Sequence, residues 1–208
     1  KESVKTLKSK NGFLTNAEAR AIRPFTGDTP VVAVASEHTD PVFFVNQIIE
    51  VLDGKRSIFN RVGKKFSGKD INALYIITKH DGLPMKKLLQ YPIPKWIHFS
   101  ISGLGGTKYE PHVLPYTKML DAIEGYIKEG LDPNMVTVRI DPIVPGVTKR
   151  SDIEQIIKRC AAMGVHIRFS VMDQYKTTAK YMEALGYDYS KFYNVVNRNV
   201  RDAKPEVI

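Results

Sequence analysis

The chain holds a single cysteine, Cys160, in 208 residues. One thiol excludes an intrachain disulfide. It also excludes any cysteine-rich zinc or iron–sulfur motif within these residues, and it fits a reducing compartment. Long apolar runs are absent as well: none approaches the roughly 20 residues that cross a bilayer. No secretory signal pattern is visible. The expectation is a cytoplasmic protein with no membrane partner; the chain begins at Lys1 rather than Met, which leaves room for residues upstream. Nucleotide fingerprints are missing too. The Gly103-Leu104-Gly105-Gly106 loop is not followed by Gly-Lys-Ser/Thr, and its spacing is not that of the dinucleotide motif. None of His38, His80, His98, His112 and His166 stands four residues from another, as a helical zinc pair requires. There is no internal repeat, low-complexity tract or evident domain linker.

What is present is a globular composition, with 43% hydrophobic and 25% charged residues, enough for one domain with a full core. The net charge is +9. A solvated basic surface accounts for that, and so would a polyanionic partner such as nucleic acid. Basic residues are densest between positions 55 and 69, where Lys55, Arg56, Arg61, Lys64 and Lys65 are candidates for a phosphate-facing ridge.

Residues 1–29 read as an N-terminal arm, and 30–208 as one domain in which strands alternate with helices. Strands are expected at Val31–Ser36, Ser57–Val62, Ala73–Thr78, Trp96–Ser102, Met135–Asp141 and His166–Asp173. Helices are expected from Asp40-Pro41 to about Leu52, around Met85–Gln90, from Tyr116 to Gly130, from a Ser151-Asp152-Ile153-Glu154 capping box to Gly164, and near Thr177–Gly186. Cys160 lies on the apolar stripe of the fourth helix with Ile153, Ile156 and Ile157, which reads as core rather than reactive thiol. The tail from Tyr187 is expected to pack back over the sheet.

Three strands share an unusual colouring. His98, Ser100 and Ser102 alternate with Ile97, Phe99 and Ile101. Thr137, Arg139 and Asp141 alternate with Val136, Val138 and Ile140. His166, Arg168 and Ser170 alternate with Ile167, Phe169 and Val171. Alternate side chains point to opposite faces of a strand. A parallel sheet clothed by helices on both faces reads as continuously apolar, so one face here carries helices and the other is polar. The fold class that satisfies this is α/β, a partial (β/α) barrel with a mostly parallel sheet, helices outside and a polar interior. A closed eight-stranded barrel typically takes about 250 residues.

Chemistry in such folds gathers at the carboxyl ends of the strands. That rule selects Ser36 to Asp40, Thr78 to Asp81, Ser100 to Gly106, Arg139 to Pro142 and Ser170 to Gln174. Asp40 reads equally as a helix N-cap. Arg139 and Asp141 read either as a structural ion pair or as a clamp for a ligand carboxylate or phosphate.

The strings Val-Ala-Ser-Glu-His-Thr-Asp-Pro (34–41), Ile-Ile-Thr-Lys-His (76–80), Phe-Ser-Ile-Ser-Gly-Leu-Gly (99–105) with Glu110-Pro111, Arg-Ile-Asp-Pro-Ile (139–143) and Phe-Ser-Val-Met-Asp-Gln-Tyr (169–175) occur in this order. Together they resemble an uncharacterised microbial family related to radical S-adenosylmethionine enzymes and to the spore photoproduct lyase type of DNA repair protein. The resemblance runs from about residue 31 to about 180. It implies a partial barrel that binds S-adenosylmethionine at its strand ends, next to a [4Fe–4S] cluster that cleaves it to a radical. The cofactor-binding positions it implies are Ser36, Thr39, Asp40, Thr78, Ser102, Gly103, Gly105 and Arg139, and the catalytic ones Lys79, Asp141 and Asp173. Two departures stand out: Glu37-His38 replaces a basic pair, and the family's cluster-binding cysteine triplet has no counterpart here. A cluster therefore requires cysteines outside this chain.

The function expected on these grounds is radical-type modification or repair of a substrate such as nucleic acid. Two other classes remain open. One is a non-catalytic basic module binding nucleic acid or a larger assembly. The other is a metal-dependent β/α-barrel hydrolase or lyase using His38, Asp40, His80 and Asp141. Oligomeric state is not legible in the sequence.

Overall fold

The computed structural model describes residues 32–35, 40–59, 65–66, 68–81, 83–195 and 200–204. Five strands, β1 Val32–Ala35, β2 Ala73–Thr78, β3 Lys95–Ser100, β4 Val136–Ile143 and β5 His166–Val171, form one sheet in the order β1-β2-β3-β4-β5. Every pair is parallel. The order is that of the chain. Right-handed crossovers in such a progression lay every connecting helix on the same face. The result is an α/β, barrel-like sheet that does not close. The expected 1–29 arm lies outside the described residues.

The helices are α1 Val45–Leu52, α2 Leu83–Gln90, α3 Tyr116–Lys128, α4 Arg150–Met163 and α5 Lys176–Ala184. The first four contribute to one core. Val45, Val51, Leu52, Met85, Leu88, Met119, Leu120, Ile123, Ile156 and Cys160 meet Leu74, Ile76, Ile97, Phe99, Val136, Val138 and Ile140. Ile97, Phe99, Val136, Val138 and Ile140 are wholly buried, each contributing about 1.5–3 kcal/mol. The alternation in the sequence thus assigns faces correctly: these residues lie under helices, and the alternate ones face the other way.

Several local expectations are corrected. The segment before α1 opens with a 3-10 turn, Pro41–Phe44, capped by Asp40, whose Oδ1 accepts from the Val42 N–H at 3.1 Å. The Ser151 capping box does not form: α4 already starts at Arg150, and Lys149 occupies the cap position without a side-chain bond. Glu154 is drawn instead to Arg150 one turn earlier, at 2.9 Å. Of the strand expected over 57–62, Ile58–Phe59 is a strand paired antiparallel with Lys65–Phe66, and residues 60–62 lie outside the described residues. Gly164 does end α4, in the left-handed conformation (φ 71°) that glycine adopts without penalty.

The described part of the tail gathers at one end of the sheet. Tyr187, Tyr189 and Tyr193 join Met182 of α5 and Leu104, Val144 and Met172 in a second apolar cluster. The last three residues follow the carboxyl ends of β3, β4 and β5, so this cluster sits at that end of the sheet. It is pinned by the Tyr187 hydroxyl on the Pro145 carbonyl (2.7 Å) and the Tyr193 hydroxyl on the Met172 carbonyl (2.8 Å). The helix after β5 therefore caps the strand ends, where the earlier helices cover the sheet.

Candidate functional site

Two polar layers lie on the sheet outside the main core. The first is the rim at the strand carboxyl ends. Asp40 ties β1 to β2 there: its carboxylate accepts from the Thr78 hydroxyl (2.8 and 3.0 Å) and from the Lys79 backbone N–H (2.7 Å), besides capping the 3-10 turn. With both oxygens engaged by the chain, Asp40 and Thr78 form a latch that sets the course of the backbone. Lys79 points onward, and its ammonium pairs with the Glu110 carboxylate. The other Glu110 oxygen accepts from the Ser102 hydroxyl, and Ser102 Oγ accepts from the Leu104 N–H at 3.0 Å. One carboxylate thus joins the end of β2 to the loop after β3.

The glycines of that loop serve a close approach. A Cβ on Gly105 would stand 1.9 Å from the Leu114 carbonyl oxygen, and Gly103 (φ 79°) takes a left-handed conformation. The segment closes with the Gly106 N–H on the Glu110 carbonyl at 3.0 Å.

On β4, Arg139 pairs with Asp141 two residues on. The other Asp141 oxygen accepts from the Ser170 hydroxyl of β5 at 2.6 Å. The Asp141–Pro142 peptide bond is cis. Asp173, just past β5, is exposed.

The second layer lies below the rim, on the face that carries no helix among the described residues. Register places His98 beside Ile77 and Thr137, Thr137 beside His166, and Arg139 between Ser100 and Arg168. His98 and Thr137 are each 5% exposed, and Ser100 is 6%. The Tyr75 hydroxyl lies 2.8 Å from His98 Nδ1. Burial, with Arg139 and Arg168 adding positive charge nearby, pushes the His98 imidazole down to about 4. The imidazole is therefore neutral at pH 7. Toward the strand amino ends the face turns apolar: Val34, Tyr75 and Trp96 stand in one cross-strand row, and Val34 and Trp96 are exposed.

The structure brings together Lys79 and Ser102 through Glu110, and Arg139 with Asp141 and Ser170. It leaves Asp173 apart from those contacts. Ser36 and Thr39 lie outside the described residues, as do Glu37, His38, Arg61 and Lys64. Of the basic ridge, Lys55 pairs with Asp53 (3.0 Å) and Arg56 with Glu50 (3.3 Å), while Lys65 is exposed on the two-residue strand. Sequence reasoning did not place Glu110 among the site residues, although it is the carboxylate that joins two of them. Tyr75 also went unnoticed: inside an apolar string it reads as core, and only the strand register places its hydroxyl on His98.

No family model, curated protein or solved structure matches this chain.

Cofactor fit differs between the two groups that the resemblance implies. Cys160 is fully buried on the core-facing side of α4, and burial raises its thiol to about 11, so it is neither reachable nor ionised at neutral pH. It does not fit an iron–sulfur cluster. The rim carries two contact groups of charged and hydroxyl side chains, Lys79–Glu110–Ser102 and Arg139–Asp141–Ser170. Among the described residues there is no group of three or more His, Cys, Asp and Glu that would hold a metal ion. A cleft of about 390 Å³ opens elsewhere, at the amino ends of the strands between the ends of α2 and α3, lined by residues including Lys86, Lys95, Tyr126 and Glu129. There Lys86 pairs with Glu129, and Lys95 donates to the Leu89 and Tyr91 carbonyls.

Proposed function

We propose that this chain binds S-adenosylmethionine at the carboxyl rim of its sheet, as the ligand-holding part of a radical-type enzyme whose cluster cysteines lie outside these residues. The observation that carries the reading is the progressive parallel order β1-β2-β3-β4-β5, which puts the helices on one face and leaves a polar rim and face beside it. Held by these residues, S-adenosylmethionine would supply hydrogen-abstraction chemistry, given one electron from a cluster held by cysteines outside them.

The chain's own residues bind and orient. Glu110 and Asp141 present carboxylates toward a ligand ammonium or ribose hydroxyls. Lys79 and Arg139 present cations toward its carboxylate. Each of these charges has an internal partner, Lys79 with Glu110 and Arg139 with Asp141. A zwitterion inserts by exchanging one set of ion pairs for another, and no charge is left uncompensated. The Asp40–Thr78 latch fixes where Lys79 starts. The tyrosine cluster of the tail lies against the strand ends and limits water on the β3–β5 side.

A nucleic-acid substrate has no support of similar weight. The net charge of +9 favours it, but Lys55 and Arg56 already have acidic partners.

Calorimetric titration of the chain with S-adenosylmethionine tests the proposal. Saturable heat, weakened about tenfold or more by Glu110→Gln, supports it. No heat at millimolar ligand rejects it.

A further inference from the structure

We infer a second subsite one step below the rim, on the helix-free face, that holds a small molecule made of a compact oxyanion, carboxylate or phosphate, joined to an apolar body.

Three features of the face point to the oxyanion. First, two neighbouring polar side chains are buried, and each has a polar atom with no partner among the described residues. Thr137 and His98 are in register on adjacent strands, each 5% exposed. Among the described residues the Thr137 hydroxyl has no hydrogen-bond partner, and His98 has one, at Nδ1. A buried polar atom without a partner costs about 1–3 kcal/mol, and a ligand that supplies acceptors removes that cost. Second, both side chains can donate. With the Tyr75 hydroxyl donating to Nδ1, the neutral imidazole carries its proton on Nε2. Nε2–H and the Thr137 O–H are then two donors with no acceptor.

Third, charge is unbalanced. Arg139 and Arg168 are register partners on adjacent strands, so two cations stand side by side where neighbouring strands are about 4.8 Å apart. Like charges so placed repel. Asp141 pairs with Arg139, while Arg168 has no ion pair among the described residues. An anion between Arg168, Thr137 and His98 supplies the missing negative charge.

The apolar body follows from the next row toward the strand amino ends. There Val34, Tyr75 and Trp96 lie side by side, with Val34 57% and Trp96 44% exposed. Ile77 extends the apolar surface beside His98. A ligand anchored by its oxyanion on β3–β5 lays its remainder over β1–β3.

The inference stands on the face alone and does not require S-adenosylmethionine at the rim. Trp96 is the only tryptophan of the chain, so its fluorescence reports on this face. The test is a titration with phenyl phosphate, phenylacetate and inorganic phosphate at fixed ionic strength, read by Trp96 fluorescence and by calorimetry. The expected result is saturable binding of phenyl phosphate or phenylacetate, the tighter of the two naming the oxyanion, with inorganic phosphate at least threefold weaker. Arg168→Gln, at an exposed position, weakens binding at least tenfold with an unchanged unfolding midpoint, and Thr137→Val weakens it about fivefold. Absence of saturation with both phenyl probes overturns the inference, as does wild-type affinity in Arg168→Gln. Equal affinity for inorganic and phenyl phosphate removes the apolar body from it. S-adenosylmethionine added to the same samples separates the two proposals. If it binds where the phenyl probes do not, this subsite fails alone; the reverse result rejects only the rim.

Discussion

The hydroxyl of Tyr75 and Nδ1 of His98 meet at 2.8 Å across β2 and β3, on the face that carries no helix among the described residues. The contact joins an apolar-looking strand to a polar one and holds the imidazole in one orientation. It also places a histidine whose titration is pushed strongly downward next to two arginines of β4 and β5.

His98 is accordingly expected to titrate near pH 4. The groups around it are Tyr75, Arg139 and Arg168, with Thr137 and Ile77 beside it. Its folded-state value lies below the unfolded one of about 6.5, so the unfolded chain takes up the proton first on acidification. The contribution to stability is complete above pH 6.5, falls as pH drops from 6.5 to 4, and amounts to at most about 3 kcal/mol. An NMR titration of the imidazole C–H resonances checks it; a midpoint near 6.5 contradicts the buried, cation-flanked setting.

Asp40→Ala removes an N-cap and the bonds that its carboxylate accepts from the Thr78 hydroxyl and the Lys79 N–H. The expected loss is about 2–4 kcal/mol, with Asp40→Asn intermediate, measured by denaturant unfolding. A loss under about 0.5 kcal/mol would show that β1 and β2 are not latched at this point.

Gly105→Ala places a methyl group on the Leu114 carbonyl oxygen. Backbone must shift, and a cost of about 2 kcal/mol or more is expected. Gly125→Ala, at a half-buried helix position where an added Cβ meets nothing within 4 Å, serves as the control and is neutral or stabilising by up to about 1 kcal/mol. Equal midpoints for the two variants would contradict the packing of the loop.

Glu110→Gln keeps the shape of the side chain and removes its charge. Ser102 retains an acceptor, and Lys79 loses its counterion. Thermal unfolding is expected to move by only a few degrees, because Lys79 remains partly exposed. S-adenosylmethionine affinity is expected to fall about tenfold. A variant that binds like the wild type would place the ligand away from this carboxylate.

Much of the architecture was legible because strand alternation is a strong signal. Ile97, Phe99, Val136, Val138 and Ile140 could not share a face with His98, Ser100, Thr137 and Arg139, and the helical stretches between them required parallel neighbours. Residues whose meaning depends on tertiary contact were less legible. Ser151 and Glu154 have the spacing of a cap, yet Arg150, a better helix former than a loop residue, extends α4 past them. Glu110 lies in a polar loop with no periodicity, and only the fold of the glycine segment brings it to Lys79 and Ser102. Tyr187, Tyr189 and Tyr193 looked like a cover for the sheet. The apolar residues that receive them, Leu104, Val144 and Met172, come just after strands and belong to no helical or strand stripe.

The central claim is that ligand binds the polar rim beside the helix-free face. The most direct measurement is amide chemical-shift mapping of the isotopically labelled chain during titration with S-adenosylmethionine. The account predicts saturable shifts concentrated at Lys79, Ser102, Gly103, Glu110 and Asp141. Shifts confined to the helix side, or to Lys86, Lys95 and Glu129 around the cleft at the strand amino ends, would contradict it.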